Sequence, residues 1–329
     1  MRTLGSMSLP ALVCSVAFAV FSAAGCVYVA PLNLGPGKLR EEVVIPSARL
    51  IELNKVAMCE VDGFIGDGTF LWRTTTIGEV KEKLERAAAD RRVKAVILRI
   101  SSPGGEVTAS DVLYHELRAF REATGKPIVA CIMGLGTSGA YYVALAADTI
   151  ICHPTAVTGS IGVIMQGANV EGLYQKLGLK PVTIKSGDKK DIGSATRPMT
   201  EEERALLQEI NQQLFERFMT TVRERRVTMN ADDLTLLGDG RVVTATQALS
   251  LKMVDRVGYL DDAVAEAKHL ANIRDAHVII YTRSPWRGGS AYVTSSAEAS
   301  DLTRTFEQAL RTLTPSLGPG FYYLWAPEW

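Results

Sequence analysis

The sequence predicts an α/β fold built on a largely parallel sheet. Short apolar runs recur along the chain, and VKAVILRI (93–100) is nearly continuous, as a strand covered on both faces must be. Between these runs, apolar residues return at three- and four-residue intervals, the period of an amphipathic helix. Strands and helices alternating at this pace form a parallel sheet with helical crossovers.

The elements follow in order. Lys55–Ile65 is a β-rich run, and Ile77, Val80, Leu84 and Ala88 mark a helix that ends by Asp90. After the Val93–Ile100 strand comes the turn SSPGGE, then a helix carrying Leu113, Leu117 and Phe120 and closed by Gly125. Pro127–Met133 is the next strand, GLGTSG a glycine-rich turn, Ala140–Ala147 a short helix and Thr149–His153 a strand. Val170–Leu177 reads as a helix capped by Gly178, and Pro181–Lys185 as another strand. A long helix opens at Thr200, where Thr200 and Glu203 form a capping box. Shorter helices are expected around Thr246–Leu251 and Asp261–Ala271. Residues 283–300 are rich in Gly, Ser and Ala and read as a loop; the aromatic tail FYYLWAPEW suits packing or subunit contact, and less well contact with a membrane surface. The resulting division is an export segment (1–26), a tether (27–50), the main domain (51–282), and a loop with the aromatic tail (283–329). No internal repeat is visible.

Composition narrows the function. The 329 residues are 47% hydrophobic and 22% charged, which is ordinary globular usage and excludes disorder and a polytopic membrane protein. Lys+Arg and Asp+Glu both number 36, so no phosphate-binding field exists and nucleic acid is not an expected partner. The five Cys are scattered, none in a CxxC pair, and no HExxH occurs, so neither a disulfide scaffold nor a zinc site is expected.

The N-terminus is separate. From Leu9 to Ala30 no residue is charged, and LPALVCSVAFAVFSAAGC ends in small residues before Cys26. This reads as an export signal with a lipobox-like site, AAGC, where a lipid would be attached to Cys26. The alternative is an uncleaved anchor, since about 20 apolar residues span a membrane. Either places the rest of the chain outside the cytoplasm. Residues 31–49, with three Pro and two Gly, suit a tether.

Three glycine-rich turns follow apolar strands: SSPGG (101–105), GLGTSGAYY (134–142) and TGSIG (158–162). Ligands bind such sheets outside the carboxyl ends of the strands. None of the turns fits GxGxxG or GxxxxGK[ST], so a nucleotide is not indicated. Ser138 stands where a glycine turn enters a helix. There it is either a helix cap or a nucleophile whose neighbour Gly139, with an N–H from the SPGG turn, would hold an oxyanion. A nucleophile needs a base. His115, His153, His269 and His277 lie outside the glycine-rich turns. The polar loop SGDKKDIGS (186–194) offers Lys189 and Lys190, and local chemistry does not choose between them. An ordinary lysine is neutral only about 0.04% of the time at pH 7, so a lysine base needs a dry setting.

The ordered set SPGG, TSGAYY, TGSIGVI and SGDKKDIGS followed by R-x-MTxEER resembles the signal peptide peptidase A (protease IV) family, in its short single-domain form. The resemblance continues through GRVVTATQALSLKMVDRVGYLDDAV and covers roughly residues 55–270. It implies a ClpP/crotonase-type fold of repeated β-β-α/β-α units with C-terminal helices, and a membrane-bound Ser/Lys-dyad peptidase. By motif, Ser138 corresponds to the nucleophile and Lys190, directly before Asp-Ile, to the general base. Ser160 corresponds to the hydroxyl that positions the lysine, and Gly105 and Gly139 to the oxyanion hole. Family members assemble into a ring or dome of subunits, act on residual signal peptides and other hydrophobic peptides, and need no cofactor or metal. One departure is SGAYY in place of the commoner SGGYY, where Ala140 is tolerable if its φ is negative. The competing readings are a catalytically degenerate peptide-binding scaffold and a crotonase-type acyl-CoA enzyme, which shares the oxyanion geometry.

Overall fold

A computed structural model of the chain describes residues 38–49, 51–66, 76–283, 290–292 and 320–325. The expected export segment with Cys26, and most of the region after 283, lie outside these residues. The described residues all belong to one compact unit, Gly37–Trp329.

In chain order the strands are β1 (Arg40–Ile45), β2 (Lys55–Asp62), β3 (Val93–Ser102), β4 (Gly104–Glu106), β5 (Ile128–Thr137), β6 (Thr149–Cys152), β7 (Val157–Gly159), β8 (Ile164–Gln166), β9 (Val242–Thr244), β10 (Arg256–Val257), β11 (His277–Thr282) and β12 (Gly320–Leu324). The helices are α1 (Thr76–Ala89), α2 (Val107–Thr124), α3 (Gly139–Ala144), α4 (Glu171–Lys176), α5 (Glu201–Arg225), α6 (Ala231–Leu237), α7 (Ala245–Ser250) and α8 (Leu260–Leu270). Nine strands form one sheet with the path β1-β11-β2-β3-β5-β6-β10, and β7 and β9 branch from β5. Every pairing from β11 to β10 along this path is parallel, as is β5 with β7; only β1 with β11 and β7 with β9 are antiparallel. A second, antiparallel sheet runs β4-β12-β8.

The apolar runs predict parallel strands because the central sheet is covered twice. Along β3, Val96, Leu98 and Ile100 enter one core cluster, and Ala95 and Ile97 the other. Along β5, Ile128, Ala130 and Ile132 alternate in the same way with Val129 and Cys131. Helices α1, α2, α3 and α5 cover the first face through residues such as Leu84, Leu117, Tyr142 and Phe218. Leu260, Ala263 and Ala267 of α8 cover the second. Each fully buried aliphatic side chain contributes about 1.5–3 kcal/mol. This α/β/α layering leaves the carboxyl ends of β3 and β5 open for the glycine turns.

Local signals agree with the structure at several ends. Gly125 closes α2 with φ 69° and its N–H on the Arg121 carbonyl. Thr200 caps α5 in a full capping box with Glu203. Replacing Thr200 by Ala removes the acceptor for the Glu203 N–H, and a loss of about 1 kcal/mol in chemical denaturation is expected.

Four features differ from expectation. Pro181–Lys185 is not a strand: among the described residues no partner strand reaches it, and Val182 and Ile184 are 85% and 97% exposed. Its period-two pattern is real, but a strand requires a ladder. Arg40–Ile45, within the expected tether, pairs with β11 across a register shift between Val43 and Ile45. Helix α6 and strand β11 carried no sequence expectation. The aromatic tail supplies β12, with Tyr323 fully buried.

Candidate active site

The site forms where β5 ends. Its last residue, Thr137, leads through Ser138 into α3, and Ser138 takes φ 54°, ψ −119°. This left-handed conformation is unfavourable for serine, costing about 1–3 kcal/mol, and such strain concentrates at functional positions. It is held by a hydrogen bond of 2.7 Å from Ser138 N–H to the Gly159 carbonyl on β7. The helix-cap reading of Ser138 fails, because its side chain caps no N–H. Ser138 is 1% exposed, and its Oγ has no hydrogen-bond partner among the described residues. A buried hydroxyl without a partner is costly unless something else uses it.

The SPGG turn stands beside it. Gly104 has φ +100°, and a side chain there would begin 2.8 Å from Gly139 N. A side chain on Gly139 would begin 3.2 Å from Gly105 N and 2.4 Å from Ser110 Oγ. The Gly105 and Gly139 amides therefore lie side by side, with no room for a Cβ on either turn. Gly105 is also pinned from behind, since Ile65 N–H donates to the Gly104 carbonyl at 2.9 Å and Glu106 N–H to the Ile65 carbonyl at 2.8 Å. Ala140 lies in α3 and is absent from the residues with positive φ, so its methyl is accommodated.

Ser160, in the turn after β7, has φ 51°, is 8% exposed, and is fixed by its N–H on the Arg241 carbonyl at 2.7 Å. The structure thus brings Ser138, Gly139, Gly105 and the Ser160 turn together. It does not bring Lys190 to them: among the described residues Ser138 Oγ receives no hydrogen bond, and residues 177–190 are exposed throughout. The two lysines nevertheless differ. Lys189 pairs with Glu202 on α5, whereas the Lys190 ammonium has no partner among the described residues.

What anchors the lysine segment is an ion cluster that sequence reasoning missed. Arg197 donates to both carboxylate oxygens of Asp191, at 3.0 and 2.9 Å, and to both of Glu203, at 2.9 and 2.5 Å. These bonds hold the Asp191 carboxyl well below its ordinary range, with Lys185 adding to the effect. The same guanidinium, with the Thr200 N–H, lowers the Glu203 carboxyl to about 2. Both carboxyls are depressed, so their stabilisation is complete above the unfolded value near 4.5 and is lost as the pH falls toward 2. The Arg197→Gln protein is therefore expected to melt below the wild type at pH 6, with the gap closing as the pH is lowered to 2. At neutral pH it is also expected to be cut faster by trypsin at Lys189 and Lys190.

Other nucleophiles and bases are placed elsewhere. Cys59, Cys131 and Cys152 are buried free thiols pushed up to about 12 by burial, which keeps them protonated and unreactive. His115 is exposed, His153 stacks edge-on against Tyr259, His269 is largely exposed, and His277 accepts from the Ser47 N–H. Among the described residues no group of three or more His, Cys, Asp or Glu is placed to hold a metal ion.

A hydroxyl presented on a strained strand-to-helix turn, beside two adjacent glycine amides, suits acyl transfer. Comparison with known proteins agrees. Residues 120–274 match peptidase family S49. The chain is 32% identical over 250 residues to a protein of Enterococcus faecium named "Putative signal peptide peptidase SppA", covering 73% of this chain and 72% of that one. It is 35% identical over 193 residues to the chloroplastic serine protease SPPA of Arabidopsis thaliana, covering 58% of this chain and 28% of that one. It is 33% identical over 211 residues to protease 4 of Salmonella typhi, covering 64% and 33%. The chain belongs to peptidase family S49, that of the signal peptide peptidase A and protease 4 proteins, and its α/β sheet is of the ClpP/crotonase type.

Proposed function

We propose that this chain is a membrane-associated serine endopeptidase that cuts residual signal peptides and other hydrophobic peptides with a Ser138/Lys190 dyad. The observation that carries the reading is the buried, unpartnered Ser138 Oγ on its strained turn, next to the Gly105 and Gly139 amides. Neutral Lys190 takes the Ser138 proton as Oγ adds to the peptide carbonyl, and the two glycine N–H groups hold the oxyanion. Protonated Lys190 returns the proton to the leaving amine. Water then repeats the cycle on the ester and frees Ser138. Ser160 holds the lysine amine in place.

In one chain the lysine segment is open to solvent, and Leu177, Leu179, Val182 and Ile184 on it are more than half exposed. Contact with further copies of the chain in a ring would cover these side chains and dry the amine. Attachment to a membrane on the extracytoplasmic side would come from residues 1–26, through a lipid on Cys26 or an anchor. Among the described residues no helix is long and apolar enough to cross a membrane.

The test uses fluorogenic peptides with hydrophobic residues before the cut, assayed from pH 6 to 10. Ser138-dependent cleavage whose rate climbs with pH supports the reading. No cleavage by a folded, assembled protein contradicts it.

A further inference from the structure

Two successive residues, Gly159 and Ser160, take positive φ, 93° and 51°. A serine persists in that region only where its surroundings impose it. The peptide joining the two is gripped at both ends. Its carbonyl accepts the Ser138 N–H at 2.7 Å, and its N–H donates to the Arg241 carbonyl at 2.7 Å. A peptide group is rigid and planar, so orienting one end orients the other. The Arg241 carbonyl therefore acts on Ser160 directly and on the Ser138 backbone through a single peptide. The fit around that oxygen is close, since a side chain on Gly159 would begin 2.8 Å from it.

What holds the carbonyl is a turn just after α6. Asp239 Oδ1 accepts the Arg241 N–H at 2.9 Å, which closes a side-chain turn over Gly240, whose φ is 84°. The same carboxylate accepts from Arg241 Nε at 3.0 Å on Oδ1 and 2.9 Å on Oδ2, and from Nη2 at 2.5 Å on Oδ2. Backbone and side chain of Arg241 are thus gripped by one group. From there the chain enters β9, antiparallel to β7 with Val242 opposite Gly159. Both side chains are about half exposed, and an ion pair so exposed usually adds little stability. Its use here is geometric: it fixes the direction of the peptide that carries the Arg241 carbonyl.

We propose that Asp239 is a positioning residue for the Ser138 site: by clamping Arg241 it aims the Arg241 carbonyl at the Gly159–Ser160 peptide, and so fixes both the Ser160 hydroxyl and the Ser138 turn. The proposal rests on the peptidase reading for its effect on rate, while the hydrogen bonds it describes are independent of turnover. The relay acts on the reacting groups and not on a binding surface, so its loss falls on kcat and leaves KM in place.

The experiment compares the full-length wild type with Asp239→Ala, Asp239→Asn and Gly159→Ala on one hydrophobic peptide. Asp239→Ala lowers kcat at least tenfold with KM within twofold of wild type. Asparagine keeps an acceptor for the Arg241 N–H, so Asp239→Asn recovers kcat to within threefold of wild type. Gly159→Ala, whose methyl crowds the same carbonyl, reproduces the loss. Wild-type kcat in Asp239→Ala or in Gly159→Ala, a loss carried by KM, or equal losses in Asp239→Ala and Asp239→Asn overturns the proposal. If no protein cleaves anything, the peptidase reading fails alone, and amide hydrogen exchange still decides this one. The Ser160 amide is expected to exchange at least tenfold faster in Asp239→Ala than in wild type, with the Gly125 amide that closes α2 unchanged. Equal Ser160 exchange in the two proteins, or an equal rise at Gly125, overturns it.

Discussion

Replacing Lys190 by Ala is expected to abolish peptide cleavage, at least a thousandfold, while Lys189→Ala leaves the rate within a few-fold of wild type. The two residues are adjacent and chemically identical, so the contrast isolates position from charge. Lys189 is committed to Glu202 on α5, an exposed pair worth little to stability. The Lys190 ammonium is held by nothing among the described residues and is available to a partner outside the single chain. Ser138→Ala should lose as much as Lys190→Ala, and the double variant no more than either, because members of a nucleophile–base unit are strongly non-additive. Steady-state rates for the four proteins on one peptide check this. Equal losses for Lys189→Ala and Lys190→Ala would remove the base from Lys190.

Gly105→Ala should damage both activity and folding. Its Cβ would lie 1.9 Å from the Ile65 carbonyl oxygen and 2.6 Å from the Ile65 nitrogen, both backbone atoms that cannot rotate away. Strand β4 must shift, which moves the Gly105 N–H away from the Gly139 N–H. Removing one oxyanion donor costs about 10²–10³ in kcat, and a drop of at least a hundredfold is expected together with a lower melting temperature. Gly167→Ala is the control, since nothing lies within 4 Å of a side chain there, and it should do neither.

Much of this was legible in the sequence because the relevant constraints are local. A parallel strand buried on both faces must be apolar throughout, so VKAVILRI announces β3. A helix that ends on a left-handed residue favours glycine, so Gly125 marks the end of α2. The glycine turns are readable for the same reason: at Gly104 and Gly105 no other residue fits. What was not legible depends on partners far along the chain. Arg40–Ile45 becomes a strand only because β11 lies beside it, and Pro181–Lys185 fails to become one because no strand among the described residues pairs with it. The aromatic tail announces burial but not where, and its pairing with Gly104–Glu106 crosses more than half the chain. Lys190 marks the limit for the site itself. Nothing in its local pattern separates it from Lys189, and one chain alone leaves it in solvent.

The central claim is that Ser138 is the nucleophile, and covalent labelling tests it without assumptions about substrate. The wild-type protein and Ser138→Ala are incubated with a small fluorophosphonate, digested, and mapped by mass spectrometry. One adduct is expected, on the peptide containing Ser138, in the wild type and none in the variant. An adduct on another residue, or none on a folded and assembled wild type, would contradict it.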